Sequence, residues 1–526
     1  MALFVILTAI FMIVVLSACD LVNDINKFFY GEEKKEEEIE DEETECEHNF
    51  VLSTNGLKPT CKQEGYDLFI CSKCGQEQRR TLEKVDHEYR NNVCRFCGIS
   101  EPAAQTYREE NAELLVYKSR NTSGDNAYTF VFNGNGTFHT TLWTKYLPEL
   151  GIVRINGNIG LPDRAFYNAT NLYEISMTGS VLSLGDEAFY GCNSMKSFVF
   201  PNGLVSIGDG AFKNCEELTD VTIPNTLTTM GRNVFSGCDR LRNLSMPFAG
   251  SNDRKGADVA FGSVFGVGNA DSCSQTYENN GQKTYFSIPD SLRTVALTGK
   301  DDILSYSFAH CSALIEKLSL SAGIEKIEEY AFFDNSGVEK IEFAEGSSLR
   351  EIGEHAFDTC VELGGFCLPK GISVVNVNSF SRCRKLSEFV FEEGSVVSSI
   401  ASDAFLSCTA LKSISLPAAL TTVETGAFKG CSSLEEIFVG ENVVALGINS
   451  FAGCSLKDVY IDSATIANTT SNNPSGLYGW GGGFNLWIEE HIEINPQSYV
   501  NVHYTCPNSQ MTEEKGGKKY KYWEIK

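Results

Sequence analysis

Eight side chains between residues 46 and 98 have the types and spacing that bind metal: Cys46, His48, Cys61, Cys71, Cys74, His87, Cys94 and Cys97. Four of them form two C-x-x-C pairs, each followed by glycine, as Cys71-Ser72-Lys73-Cys74-Gly75 and Cys94-Arg95-Phe96-Cys97-Gly98. That spacing lets both thiolates of a pair reach one tetrahedral ion, and the glycine eases the approach of the backbone to the sulfurs. The segment has too few large apolar residues to fold on a core of its own, so metal or disulfides must staple it. The spacing favours a zinc-ribbon-like module with zinc as a structural cofactor. Disulfides in an oxidising exterior stay open as an alternative. A redox-active pair also stays open, although the strand and helix of a thioredoxin-like motif are not visible around either pair.

A second set of cysteines has a different logic. Cys192, Cys215, Cys238, Cys311, Cys360, Cys383, Cys408, Cys431 and Cys454 each follow a phenylalanine by three residues. Those phenylalanines, 189, 212 and 235 and then 308, 332, 357, 380, 405, 428 and 451, return every 23 to 25 residues. Equivalent positions in stacked units point the same way, and Asn335 takes the cysteine position once without being able to form a disulfide. A small buried residue that satisfies the backbone at a turn accounts for both residue types.

Around each cysteine the frame reads Ile-Gly-x-x-Ala-Phe-x-x-Cys-x-x-Leu-x-x-Ile-x-Ile-Pro, as from Ile207 to Pro224. A period in the twenties, built of one short strand and one short helical or turn segment, predicts a repeat solenoid whose units bury their faces against one another. The Leu-x-x-Ile-x-Ile stretch alternates as a strand with one buried face, so Val221 and Ile223, Ile341 and Phe343, Ile414 and Leu416, and Ile437 and Val439 should point inward. The Ala-Phe pair falls on the return segment, where stacked rings fill the core from the other side. Residues 248–286, rich in Gly, Asn, Asp and Ser, interrupt the array and are expected to form a loop on one face. Residues 105–164 and 462–526 lack the frame and read as end caps around an array at 165–461.

The frame closely resembles the BspA-type leucine-rich repeat, over roughly residues 165 to 461. The resemblance implies a leucine-rich-repeat array of strands and short helices on a bacterial surface protein, with adhesion to host matrix proteins or to other cells. Leu16-Ser17-Ala18-Cys19, after an apolar run from Ala2, resembles the bacterial lipobox. It implies a signal peptide at 1–18, lipidation of Cys19 and a membrane-anchored protein outside the cell. The departure is an n-region without Lys or Arg. Residues 19–45 then serve as an acidic linker to the 46–99 module, since the like charges between Glu32 and Glu47 repel and stay extended. The Cys/His module itself resembles small modules of secreted proteins from low-GC Gram-positive bacteria.

A net charge of −26, without a basic cluster, sets nucleic acid aside as a partner. No nucleophile elbow, P-loop, dinucleotide fingerprint or H-E-x-x-H occurs, so no catalytic residue is assigned and the chain reads as a binder. Most outward strand positions, such as Ser197, Asp220, Thr222 and Ser319, are small or charged, which suits a broad polar interface with an extracellular protein. Glycan capture and a structural spacer are the alternatives. Toward the end of the array, Glu388, Val390, Glu436, Phe438, Asp458 and Tyr460 should line one surface with two aromatic anchors amid acidic side chains.

Overall fold

The structure, a computed structural model, describes residues 49–55, 58, 65–82, 89–90, 93–94, 103–120, 126–139, 142–251, 254–270, 274–461, 500–505, 513–515 and 518–525. The chain divides into two compact units, Met1–Glu101 and Pro102–Lys526. In the first, Phe50–Leu52, Gly65–Cys71 and Glu77–Leu82 form an antiparallel sheet, and Tyr89–Arg90 pairs with Val93–Cys94.

The second unit is a β-solenoid of stacked coils. Its principal strands, one per coil, are β1 (Ser197–Val199), β2 (Asp220–Thr222), β3 (Asn243–Met246), β4 (Thr294–Leu297), β5 (Lys317–Leu320), β6 (Ile341–Phe343), β7 (Gly365–Leu368), β8 (Glu388–Phe391), β9 (Ser413–Ile414), β10 (Glu436–Val439) and β11 (Asp458–Ile461). Except at β6–β7 and β8–β9, neighbours pair parallel and in register, for example Val221 beside Leu244. Two-residue strands such as Ser206–Ile207 and Thr229–Met230 form a second ladder. Inward residues are buried as the alternation requires: Val221, Ile223, Ile341, Ile414, Ile437 and Val439 are all nearly inaccessible. Phe343 and Leu416 are only half-buried. Before the array, a six-stranded sheet spanning Gln105–Met177 encloses Phe130, Phe132 and Trp143, whose indole Nε1 donates to the Ala165 carbonyl at 2.7 Å.

The return segment is not the short helix of the sequence reading; among the described residues of the coils no α-helix occurs. An α-helix closes each N–H on its own segment. Here the N–H groups alternate. Those of Asp403, Phe405 and Ser407 cross to the carbonyls of Thr425, Ala427 and Lys429 in the next coil, whereas Leu406 and Cys408 close local turns on Asp403 and Phe405. The residues two before and two after the phenylalanine carry left-handed φ, as at Asp403 (55°) and Ser407 (58°) or Asn449 (56°) and Gly453 (74°). Such angles cost little for Asn, Asp or Gly and end any helix.

The phenylalanines form a continuous stack. Ring centroids lie 4.9 Å apart for Phe308–Phe332 and Phe332–Phe357, 5.1 Å for Phe405–Phe428 and 5.3 Å for Phe428–Phe451, with near-parallel planes. Each ring is fully buried, contributing roughly 1.5–3 kcal/mol by transfer from water. Beside it runs the cysteine column, reduced throughout. The Cys215 thiol donates to the Phe189 carbonyl of the preceding coil at 3.2 Å, and Cys383 and Cys408 do the same to Phe357 and Phe380 at 3.1 Å. Asn335 makes the equivalent bond from Nδ2 to the Phe308 carbonyl at 2.9 Å, and its Oδ1 accepts from the N–H groups of Gly337 and Val338. The repeated position is thus a buried donor to the backbone. Burial pushes the thiols of Cys192, Cys215 and Cys238 well up, and that of Cys311 to about 12.

The 248–286 insertion is more than a surface loop. β3 pairs directly with β4 across it, while Phe261 and Phe265 enter the core and restore the stack between Phe235 and Phe308. The N–H groups of Asn233 and Phe235 bond to Ser263 and Val264, as they would to a following coil. Gln275, 1% exposed, locks the segment in place: Oε1 accepts from the Gly262 N–H, and Nε2 donates to the Ser307 carbonyl at 2.9 Å. An antiparallel hairpin, Gln275–Asn279 with Gln282–Phe286, completes the insertion.

Candidate binding surface

Along β1–β11 the outward positions form two columns, and their chemistry changes along the array. Over β2–β4 the surface satisfies itself. Asn243 Nδ2 donates to Asp220 Oδ1 at 2.6 Å, and Thr294 Oγ1 donates to Asn243 Oδ1 at 2.5 Å. Hydrogen bonds from Thr219 and Asn243 hold the Asp220 carboxyl below the usual carboxylate range. Over β5 and β6, Glu342 sits between Lys317 at 2.5 Å and Lys340 at 2.7 Å, which lower its pKa from the ordinary 4.5 to about 2.

Beyond β6 the hydrogen-bonded sheet stops. β7 and β8 form an isolated pair, and a third sheet begins at β9. Each break follows a long repeat: Phe332 to Phe357 and Phe380 to Phe405 span 25 residues, and each contains Glu-Gly-Ser just after its strand. Gly346 and Gly394 carry that turn with φ of 71° and 81°. The added residues displace the exit of the strand, so only the Lys340–Gly365 bridge joins β6 to β7. A crevice of about 890 Å³ opens there, lined by Ile341, Phe343, Phe366, Cys367, Glu388 and Val390 among others. A smaller one of about 420 Å³ follows β8, with Phe391, Glu392, Leu416 and Pro417 in its walls. The half-burial of Phe343 and Leu416 reflects these two openings.

The six residues expected to form one patch are divided by the second break. Glu388 and Val390 are exposed on β8 and line the larger crevice. Glu436 and Phe438 lie on β10, and Asp458 and Tyr460 on β11, within the third sheet. Phe438 and Tyr460 stack at 4.5 Å, but Tyr460 is only 3% exposed and β11 carries a further strand, Val500–Thr505, on its other edge. Expected as an open anchor, Tyr460 is packed away instead.

Of the metal-ligand set, Cys46, His48, Cys61, His87 and Cys97 lie outside the described residues, as does Cys19, and Cys94 is placed only as the end of a strand. Cys71 is buried at the end of its strand, and exposed Cys74 occupies the following turn, where the Gly75 N–H donates to the Cys71 carbonyl at 2.9 Å with φ of 77° at Gly75. Among the described residues no three metal-binding side chains cluster.

Two features escaped the sequence reading. Cys367, outside the Phe-x-x-Cys frame, is exposed in the crevice, unlike the in-frame cysteines. On the turn ridge Tyr306, Tyr330 and His355 stack at 5.5 and 4.9 Å, each at left-handed φ where most other coils place Asn, Asp or Gly. The signal was present as three bulky residues two positions before consecutive phenylalanines.

No curated protein matches this chain. A leucine-rich repeat protein from Eubacterium ventriosum is similar in structure, at 18% identity over 72% of this chain and 99% of that one, with a TM-score of 0.32. One from Bacteroides ovatus is 20% identical over 69% of this chain and 96% of that one, with a TM-score of 0.34. A leucine rich cell surface protein from Faecalibacterium prausnitzii is 18% identical over 68% and 89%, with a TM-score of 0.22. The BspA type leucine rich repeat region matches in six copies, over residues 159–256, 301–409 and 350–473, together more than half of the sequence. The chain belongs to the BspA-type leucine-rich-repeat family.

Proposed function

We propose that the protein is a non-enzymatic cell-surface binder, lipid-anchored through Cys19, whose array holds a protein of a host or neighbouring cell on its strand face. The observation that carries this reading is the contrast in one coil between a filled, repeated interior and an outward strand face whose residues vary freely. Such a face offers extended contact area with hydrogen-bonding and charged groups already in place. The acidic linker lifts the folded units from the membrane, and the C-x-x-C turn at Cys71 and Cys74 supplies one half of a structural zinc site completed by the remaining Cys and His. Cys19→Ser should release the protein from membranes, and elemental analysis of protein purified without chelator should find zinc.

Purified protein should be tested against a panel of host matrix proteins and polysaccharides, beside a variant carrying Thr222→Arg, Ser319→Arg and Ser415→Arg. Loss of binding in the variant, with unchanged thermal stability, is expected. Binding that survives there but disappears on changing Tyr306 and Tyr330 to Asn would move the site to the turn ridge.

A further inference from the structure

We propose that the crevice between β6 and β7 receives an extended segment of the partner protein that carries lysine or arginine at every third position. This deepens the binding reading above and rests on it. Three observations support it.

The crevice is kept open by missing side chains. Gly365 occupies the outward position that carries Lys340 in the preceding coil and Glu388 in the following one. Neither Gly364 nor Gly365 has a left-handed φ. A side chain at Gly364 would meet nothing within 4 Å, and one at Gly365 only the Glu388 carbonyl at 3.8 Å. Glycine in a strand costs stability, and here neither backbone angle nor close packing requires it. What it preserves is access to the apolar floor formed by Phe343 and Phe366, whose rings meet edge to face at 5.6 Å.

The rim is negative after its own ion pairs are counted. Lys340 is engaged with Glu342, and Lys385 with Glu362. Glu339, Glu345 and Glu388 make no ion pair among the described residues, and the Glu392 carboxylate accepts only the Lys370 N–H, at 2.9 Å. A lysine or arginine suits this arrangement because its aliphatic stem covers aromatic carbon while its charged head reaches the carboxylates.

The second crevice fixes the spacing. It has the same construction, with Phe391, Leu416 and Pro417 beside Glu392 and Glu393, and lies two coils further on. Coils sit about 4.8 Å apart, so the two openings are about 10 Å apart. A segment in the polyproline II conformation rises about 3.1 Å per residue with about three residues per turn, so basic side chains at i and i+3 lie on one face about 9 Å apart and reach both openings at once.

The test uses the purified full chain and two fluorescent peptides of identical composition: four Lys-Leu-Ser repeats, and an isomer with its lysines contiguous. Anisotropy titration should show the spaced peptide binding about tenfold or more tighter than the isomer, since register decides how many anchors are seated together. The pair Glu345→Gln and Glu388→Gln, and separately Gly365→Leu, should each remove about tenfold of that affinity. Glu329→Gln with Glu354→Gln on the turn ridge should change it by less than about twofold. Equal affinity for the two isomers, equal loss in the ridge control, or no binding of the spaced peptide would overturn the proposal. If it fails while the arginine variant of the strand face still abolishes capture of a matrix protein, the error lies in the crevice and not in the binding function.

Discussion

The interior stack and the strand face are built from the same coils, yet they obey opposite rules. Inside, one position is phenylalanine in coil after coil, and its neighbour is cysteine or the isofunctional Asn335. Outside, one register position reads Asp220, Asn243, Thr294, Lys317, Lys340, Gly365 and Glu388 in successive coils. A buried residue answers to packing and to a carbonyl that needs a donor, and few side chains meet both demands. An outward residue answers to solvent, so its identity is open to whatever the surface must hold. Fold and function are therefore written in separate columns of the same repeat.

The largest effect should come from breaking the inner column. Phe357 touches Phe332, Phe380 and Phe366, so Phe357→Ala should cost about 3–5 kcal/mol in urea unfolding. A cost below about 1 kcal/mol would mean that the stack is not what holds the coils together. Next comes the donor position. Asn335→Leu leaves the Phe308 carbonyl and the N–H groups of Gly337 and Val338 without their partner and should cost about 3 kcal/mol. Asn335→Cys keeps the donor to Phe308 and should be distinctly milder. If both variants lose equally, the column is selected for volume alone.

How far these columns could be read in advance follows from the same contrast. The Phe-x-x-Cys period and the alternation of Val221 and Ile223 were visible because burial repeats. The period left the return segment open between helix and turn, and the family resemblance favoured the helix, because apolar spacing does not report φ. The left-handed positions were nonetheless marked by Asn214, Asn233 and Asn449. Phe261 and Phe265 were out of register with the period, so their place in the stack could emerge only from the folded insertion. Glu388 and Val390 are exposed on the outward face of their strand. What separated them from Phe438 was the Glu-Gly-Ser lengthening of the coil, a change of two residues whose consequence is a gap between strands.

The outer column should respond to pH more than to truncation. Glu342 titrates near 2 when folded, below its ordinary 4.5, so its pairing with Lys317 and Lys340 stabilises the fold above about pH 4.5 and is lost as pH falls toward 2. The stability difference between the protein and Glu342→Gln should thus be flat at neutral pH and shrink across that acidic window. A difference that instead grew on acidification would contradict the assigned pairing. Smaller still, Asp220→Ala breaks only exposed hydrogen bonds and should shift stability by no more than about 0.5 kcal/mol, as a thermal melt would show.

The central claim, that the outward face at the broken ladder is where partners seat, can be read from a thiol already in place. Cys367 is exposed in the crevice whereas the in-frame thiols are buried, and although partial desolvation with Glu392 and Glu388 raises its pKa, access decides the comparison. Alkylation followed by peptide mass spectrometry should therefore label Cys367 well before the interior column. Saturation with the spaced Lys-Leu-Ser peptide should slow that labelling severalfold, and its contiguous-lysine isomer should not. Full saturation by anisotropy with an unchanged Cys367 rate would contradict the account, because the peptide would then be bound somewhere other than the crevice.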